Sequence, residues 1–305
     1  MPLDSPRPDQ SSRVRLHRYL AQCGLGARRA CERLIDAGRV SVDHHIARKQ
    51  GICVDPLSQV VMVDGKRVVP ERKITILLNK PRDVLCTSAD PQGRRTFKSL
   101  LPDLPVRLYT VGRLDRDSEG LLVVTNDGDL AHALAHPRHQ VEKVYHVWLV
   151  QQLTPSQERQ TKKGVRCGSD MLRFDDLKRL DARSRTCLYR IRLHEGRNRH
   201  IRRLFKAIGV DVVRLKRMAV GALELGRLRS GAWRYIREDE IKMLHSTRNA
   251  SRPLGESGGA PRRRQSRQVA ACGEAATRRN QSTDYIDKNS EFRTPSSELP
   301  RGGIK

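Results

Sequence analysis

Aromatic side chains make up only 4% of the 305 residues. That scarcity predicts an aliphatic core, which a hydrophobic fraction of 37% is large enough to build. Cysteine is sparse too: seven residues, at positions 23, 31, 53, 86, 167, 187 and 272, with no C-x-x-C pair among them. An odd number without close pairing excludes a disulfide framework and a structural zinc site. No apolar run reaches the ~18 residues that cross a bilayer, and the opening MPLDSPRPDQSSR has no apolar signal core. A cytoplasmic chain with no membrane partner is expected. Glycine-rich loops of the G-x-G-x-x-G type and phosphate loops are also missing, so no cofactor is expected. Acidic residues are the minority, 34 against 60 Lys and Arg, which leaves a net charge of +26. A protein this basic is expected to bind a polyanion, and nucleic acid is the commonest one.

The length exceeds one ordinary core and predicts about two domains. Residues 1–12 read as a flexible leader. From Val14, the residues Leu16, Tyr19, Leu20 and Cys23 recur at helical spacing, and Gly24 stops the helix. A second helix over about 27–37 puts Ala30, Leu34 and Ile35 on one face and Arg28, Arg29 and Arg33 on the other. Val40–Val42 and 60–63 read as strands, and Asp64-Gly65 as the hairpin turn that follows. Residues 11–67 carry 11 basic against 5 acidic side chains. Two short helices followed by strands, with the basic residues on the helices, look like an RNA-reading unit over 13–70.

After a linker at 70–72 the chain alternates strands and helices to 246. Thr154-Pro155-Ser156-Gln157 is a helix start with a capping residue and Gln three positions on. Cys187, Tyr189, Ile191 and Leu193 line one face of a strand, with Arg190 and Arg192 on the other. Asn198 is expected to cap a helix whose Ile201, Leu204, Phe205 and Ile208 share a face. Residues 247–305 are rich in Ser, Gly, Pro and Arg, with Tyr285 and Phe292 as the sole aromatics. They are expected to form a disordered basic tail.

Three stretches can carry chemistry. In Gly112-Arg113-Leu114-Asp115-Arg116-Asp117-Ser118-Glu119-Gly120, a charged loop leads into the apolar strand Leu121–Val124. Lys143-Val144-Tyr145 opens a second strand and aims Tyr145 to the apolar side with Val147 and Leu149. Glu195-Gly196-Arg197-Asn198-Arg199-His200-Ile201-Arg202-Arg203 gathers guanidiniums at a helix start, which suits an anionic substrate. His132 and His136 have i, i+4 spacing, but the Glu of an H-E-x-x-H pattern is missing, so no metal is expected. None of these patterns alone names a reaction.

In order along the chain, GRLDRDSEGLLVVTNDGDLAHALAHP (112–137), KVY (143–145) and EGRNRHIRRLFKAIG (195–209) resemble the motifs of bacterial ribosomal RNA pseudouridine synthases of the RsuA/RluB family. VRLHRYLAQCGLGARRACERLIDAGRVSVD (14–43) resembles the ribosomal-protein-S4-like RNA-binding domain that precedes the catalytic domain there. The resemblance covers about 14–237. It implies an α+β protein in which a small α/β RNA-binding domain (13–70) precedes a catalytic domain (72–246) built on a mixed, mainly antiparallel sheet. It implies isomerisation of a uridine in ribosomal RNA to pseudouridine, with the large subunit as the expected target. Small-subunit rRNA and a non-catalytic rRNA-binding assembly factor are the alternatives. The family's catalytic aspartate falls on Asp115, its tyrosine on Tyr145, and the arginine that pairs with the aspartate on Arg202. His200 stands where family members commonly carry Gln, and Leu215 matches an apolar residue packed under the site. Arg113 is implied to fill the space left by a flipped-out nucleotide. Arg197, Asn198 and Arg199, with Arg28, Arg29 and Arg33, are implied RNA contacts. The expected partner is ribosomal RNA or a ribosomal subunit precursor, and a monomer is expected.

Overall fold

The structure is a computed structural model, and it describes residues 13–181 and 187–250. The expected leader therefore lies outside the described residues, as does the expected tail beyond residue 250.

The N-terminal module holds two helices, α1 (Leu16–Gln22) and α2 (Arg28–Asp36). Leu16, Tyr19, Leu20, Cys31 and Ile35 are buried, while Arg28, Arg29 and Arg33 stay exposed. The buried residues pack on a four-stranded antiparallel sheet of β1 (Val40–Val42), β2 (His45–Ile46), β3 (Val61–Val63) and β4 (Lys66–Arg67), in the order β2-β1-β3-β4. Asp64 and Gly65 both take positive φ, 49° and 74°. That conformation makes the tight hairpin turn expected of Asp-Gly, because its twist matches that of the strands.

The second module is built on a nine-stranded sheet. Its elements in chain order are β5 (Thr75–Lys80), β6 (Glu119–Thr125), α3 (Gly128–Ala135), β7 (Lys143–Leu149), α4 (Pro155–Lys163), β8 (Asp176–Asp181), β9 (Cys187–Leu193), α5 (His200–Ala207), β10 (Val212–Val220), β11 (Trp233–Tyr235) and α6 (Glu238–Ala250). The main strand order is β8-β9-β7-β10-β6-β5-β11, and Tyr109–Thr110 and Leu223–Glu224 add short edges. Along that path every pairing is antiparallel except β10 with β6. The mixed, mainly antiparallel α+β architecture is as expected.

One face of the sheet carries Tyr145, Val147, Leu149, Tyr189, Ile191 and Leu215, packed with Leu204 and Phe205 of α5. On the opposite face Leu77, Leu121 and Val123 pack with α3 and with Leu244 of α6. Each fully buried aliphatic side chain stabilises the fold by roughly 1.5–3 kcal/mol relative to exposure. The capping box at α4 forms as expected, with Thr154 Oγ1 accepting from the Gln157 amide at 3.2 Å.

Two expectations are corrected. The residue flanking α5 is Arg199, not Asn198; Arg199 takes a left-handed conformation (φ 46°, ψ 34°) and makes no capping hydrogen bond. Asp127, just beyond β6, caps α3 by accepting from the amides of Asp129 and Leu130. Helix α6 also runs to Ala250, past the boundary expected at 246/247. Its first turn holds Glu238, Asp239 and Glu240, the charge that favours a helix N-terminus. Among the described residues no helix is long and apolar enough to cross a membrane.

The parallel junction of β6 with β10 depends on a glycine. Gly120 lies opposite Arg217, and a Cβ there would sit 2.2 Å from the Arg217 carbonyl oxygen and 2.7 Å from its nitrogen. Gly120→Ala should therefore cost at least ~2 kcal/mol in thermal melting, because backbone must move to admit the methyl. Gly93→Ala is the control: φ is also positive (+67°), but no atom lies within 4 Å. It should cost only the conformational strain of ~1 kcal/mol. Equal losses in the two variants would show that the close approach to Arg217 is not what requires the glycine.

Candidate active site

The first of the three stretches, residues 112–120, leaves the short strand Tyr109–Thr110 and turns back into β6. Gly112 makes the turn with φ 67°, Leu114 is buried, and the Ser118 amide donates to the Asp115 carbonyl at 3.1 Å. Beneath the loop lies Lys80, at the end of β5 and fully buried. Its ammonium donates to three carbonyls, those of Pro81 (2.9 Å), Arg116 (3.3 Å) and Ser118 (2.8 Å). Burial pushes the Lys80 amine below the ordinary lysine range, and nearby Cys86 and Asp117 oppose that shift. The Asp83 amide donates to the Arg116 carbonyl at 2.8 Å, so two segments fix the same stretch of backbone.

Asp115 and Asp117 have different surroundings. Asp115 lines a cavity of about 330 Å³ with Arg113, Ser118, Tyr145, Leu193, Leu215 and the α5 approach from Gly196 to Arg202. That volume is at the lower end of small-ligand sites, roughly 300–1,000 Å³. The Asp115 side chain is 28% exposed, and Arg199 Nη1 lies 3.7 Å from its Oδ2. Asp117 does not line the cavity. Arg199 donates to both of its carboxylate oxygens (3.4 and 3.3 Å), and Arg202 Nε lies 3.2 Å from Oδ2. Arg202 also donates to the Asp117 carbonyl (3.1 Å) and to the Val212 carbonyl (3.3 Å). Burial works to raise the Asp117 carboxyl, but the Arg199 hydrogen bonds and the charges of Arg202 and Arg199 overcome it and hold the group below the usual carboxylate range.

This arrangement corrects the expected partner of Asp115. Arg202 forms its ion pair with Asp117, and the guanidinium nearest Asp115 is that of Arg199. The physical reason lies in the start of α5: the left-handed Arg199 turns its side chain over the cavity, whereas Arg202, one turn on, is half-buried and donates to the loop backbone. The sequence assigned Arg199 to RNA contact alone, and its left-handed conformation has no local signal such as Gly or Asn.

Tyr145 is 9% exposed and shares the strand face of Val147 and Leu149, as parity predicts. Leu215 is paired with Val147 across β7 and β10 and forms part of the cavity wall. Arg113, Arg197 and Asn198 are exposed around the cavity. Arg197 is held by Glu195 (3.1 Å) and Asp170 (2.9 Å). Arg28, Arg29 and Arg33 lie on α2, away from this cavity. Lys143, two residues before Tyr145, donates to the carbonyls of Val141 (2.7 Å) and His194 (3.3 Å); burial, then the charge of Arg217, pushes its amine down to about 8. Lys80, which holds the loop from beneath, is the candidate site residue that sequence reasoning missed. The available signal was a lysine closing an apolar strand directly before proline, a position where a solvated side chain is the usual reading.

His200 is buried, with Nε2 3.0 Å from the Arg173 carbonyl and Nδ1 lacking a hydrogen-bond partner. Burial lowers its pKa, and the Glu195 carboxylate, 3.8 Å from Nδ1, works in the opposite direction. The three rings of His132, His136 and His139 lie 4.7–6.0 Å apart by centroid. Among the described residues, no group of three or more His, Cys, Asp or Glu side chains has the geometry to hold a metal ion.

Comparison with known proteins gives this geometry a family. Residues 74–207 match the RNA pseudouridylate synthase family model, and residues 14–56 match the S4 domain. The chain is 42% identical over 237 residues to an RNA pseudouridine synthase of Mycobacterium tuberculosis, covering 76% of this chain and 93% of that protein. It is 36% identical over 235 residues to the ribosomal large subunit pseudouridine synthase B of Bacillus subtilis, covering 76% of this chain and 96% of that one. A crystal structure of a pseudouridylate synthase shares the fold with a TM-score of 0.54, at 24% identity over 76% of this chain and 99% of that chain. The chain belongs to the RNA pseudouridine synthase family. It is an isomerase in which an S4 domain precedes a pseudouridine synthase fold.

Two outcomes are expected. Lys80→Met keeps the volume but leaves three carbonyls without their donor, at ~1–3 kcal/mol for an unsatisfied buried group. Melting should remain cooperative and RNA affinity close to wild type, while turnover falls roughly 10²-fold through misplacement of the loop. Wild-type turnover would reduce Lys80 to a space filler. His200→Gln tests the buried imidazole. Because its folded pKa is lowered, the unfolded chain binds more protons below pH ~6.5, so stability is lost as pH falls through that value. The variant should melt close to wild type at pH 7.5 and above it at pH 5. Identical pH dependence of melting in both proteins would show that His200 does not govern acid stability.

Proposed function

We propose that this chain converts a uridine of large-subunit ribosomal RNA to pseudouridine, with Asp115 as the catalytic aspartate. The observation that carries the assignment is the division of labour in the loop. Asp115 faces the cavity beside Tyr145, whereas the side chain of Asp117 is taken up by Arg199 and Arg202. The choice of ribosomal RNA, and of its large subunit, draws on the activity named for the Bacillus relative. The same comparison favours the RsuA/RluB branch over other pseudouridine synthases.

The reaction breaks the bond from uracil N1 to ribose C1′, rotates the base and joins C5 to C1′, while C5 loses its proton to solvent and N1 takes one up. Atoms balance within the nucleotide, so no redox partner or group donor is required. The Asp115 carboxylate can attack C1′ or remove the C2′ proton, and both use an ionised oxygen directed into the cavity. Tyr145 forms the wall against which the detached base stacks, and its hydroxyl is the group for the C5 proton. Arg202 acts through Asp117, holding the loop, so it is a positioning residue. Arg113 is set to occupy the gap left by the flipped nucleotide, since a base inside a helix is out of reach of the carboxylate. Arg197, Asn198 and Arg199 at the cavity, with Arg28, Arg29 and Arg33 on α2, meet RNA phosphate. The N-terminal module, 13–70, supplies affinity, and 72–246, with α6 continuing to Ala250, carries the chemistry.

Asp115→Asn removes the nucleophilic oxygen and the base with little change in size. Tritium release from 5-tritiated uridine in an rRNA fragment should fall by at least several orders of magnitude. Gel-shift affinity should stay at or above wild type, because a negative charge near phosphate is lost. Asp117→Asn should reduce turnover less, by loosening the loop. Full activity in Asp115→Asn with an inactive Asp117→Asn would move the catalytic role two residues along, and full activity in both would exclude this loop as the catalytic one.

A further inference from the structure

The active-site cavity uses one face of the β8-β9-β7-β10 sheet. The opposite face presents an unusual row. Lys178 of β8 pairs in register with Arg190 of β9, Arg190 with His146 of β7, and His146 with Lys216 of β10. Four adjacent strands thus place only cationic or imidazole side chains side by side, across about 14 Å at the usual strand spacing. Like charges directly opposite one another destabilise a sheet. Strand pairing alone therefore does not account for this choice of residues.

Neutralisation within the chain is incomplete. Asp176 is shared by Arg190 (3.3 Å) and Arg192 (3.1 Å), and Glu142 lies 3.6 Å from Arg192. Glu119 neighbours Lys216 in register, but Arg214 takes both of its oxygens, at 2.9 and 2.8 Å. Lys178 and Lys216 form no ion pair among the described residues. Arg190 Nε is buried without a hydrogen-bond partner. Burial, then the charges of Lys216 and Arg190, pushes the His146 imidazole below its ordinary range, so the row lowers its own repulsion at the one position able to discharge. In the adjacent row Trp148 stands between Leu188 and Arg214, with the Arg214 guanidinium 4.9 Å over its ring. None of the three apolar clusters takes a side chain from either row.

We propose that this face is a second RNA-binding surface, which docks the phosphate backbone of an RNA helix flanking the one whose uridine enters the active site. The match is one of charge: Lys178 and Lys216, without acidic partners, flank an arginine that shares one carboxylate with Arg192, and this basic row suits closely spaced phosphates. With the Trp148 ring covered by Arg214, the surface offers phosphate contacts and not base stacking. Docking is then insensitive to sequence and sensitive to salt. The inference rests on the reading that the substrate is a structured RNA.

The test is the double variant Lys178→Gln/Lys216→Gln in the full chain, with two RNAs: a minimal hairpin holding the target uridine, and the same hairpin with its flanking helix. Neither lysine lines the active-site cavity. The variant should melt at or above the wild-type temperature, since repulsion is relieved. Its salt slope on the extended RNA should be shallower by about two, so affinity changes about tenfold less between 50 and 200 mM salt. Binding and turnover of the minimal hairpin should not change. An unchanged slope on the extended RNA overturns the proposal, as does an equal loss on both RNAs. A lower melting temperature shows instead that the row stabilises the fold, and also overturns it. Wild-type turnover of the minimal hairpin reports separately on the underlying function.

Discussion

A single buried ammonium group sets the geometry of the loop that carries Asp115. Lys80 enters the core at the end of β5 and makes no ion pair among the described residues; its charge is compensated by three backbone carbonyls. Burying a cation without a counter-ion costs several kcal/mol unless its protons are hydrogen-bonded. Two of the three acceptors belong to the loop that carries Asp115. The loop is therefore tied to the same interaction that makes the buried charge tolerable, and it cannot move without exposing Lys80's protons to an apolar core. Further constraints follow from that position: Asp117 meets Arg199 and Arg202, and the start of α5 is drawn over the cavity.

The sheet supplies the other side of the site by a similar economy. Strands β6 and β10 run parallel at only two registered pairs, and Gly120 allows the approach. That junction places the end of the aspartate loop beside β10, whose Leu215 pairs with Val147, two residues beyond Tyr145. Carboxylate, tyrosine and apolar floor thus come from segments that are distant in sequence. They meet because one glycine lets two strands touch and one lysine holds the loop that precedes them.

Much of this was legible from sequence where a local rule decides the outcome. Alternation in Cys187–Leu193 fixed which residues face the core, and the Thr154/Gln157 spacing fixed a helix start. Asp115 and Tyr145 fell where their motifs suggested, at one cavity. The misreadings came where tertiary contact decides. Arg202 was paired with Asp115 because both belong to motifs, but helix geometry directs Arg202 to Asp117 and brings Arg199 nearer to Asp115. Asn198 was read as a cap because Asn is the usual choice, yet Arg199 occupies that position, with a backbone that arginine seldom adopts. Lys80 was missed because no sequence rule separates a lysine buried on carbonyls from a solvated one.

The period of two along a strand explains how one sheet serves two tasks. In β7, Tyr145, Val147 and Leu149 face the cavity and core, while His146 and Trp148 face the other way. In β9 and β10 the same alternation sends Ile191 and Leu215 inward and Arg190 and Lys216 outward. Successive residues therefore belong to different functions, and a slip of one residue in register would exchange the two faces entirely. The apolar face has a strong preference for burial, and that preference pins the register. The cationic face needs no stabilising interactions of its own to be correctly placed. A surface made of mutually repelling side chains can thus persist, because the energy that orders it comes from the residues on the other side of the same strands.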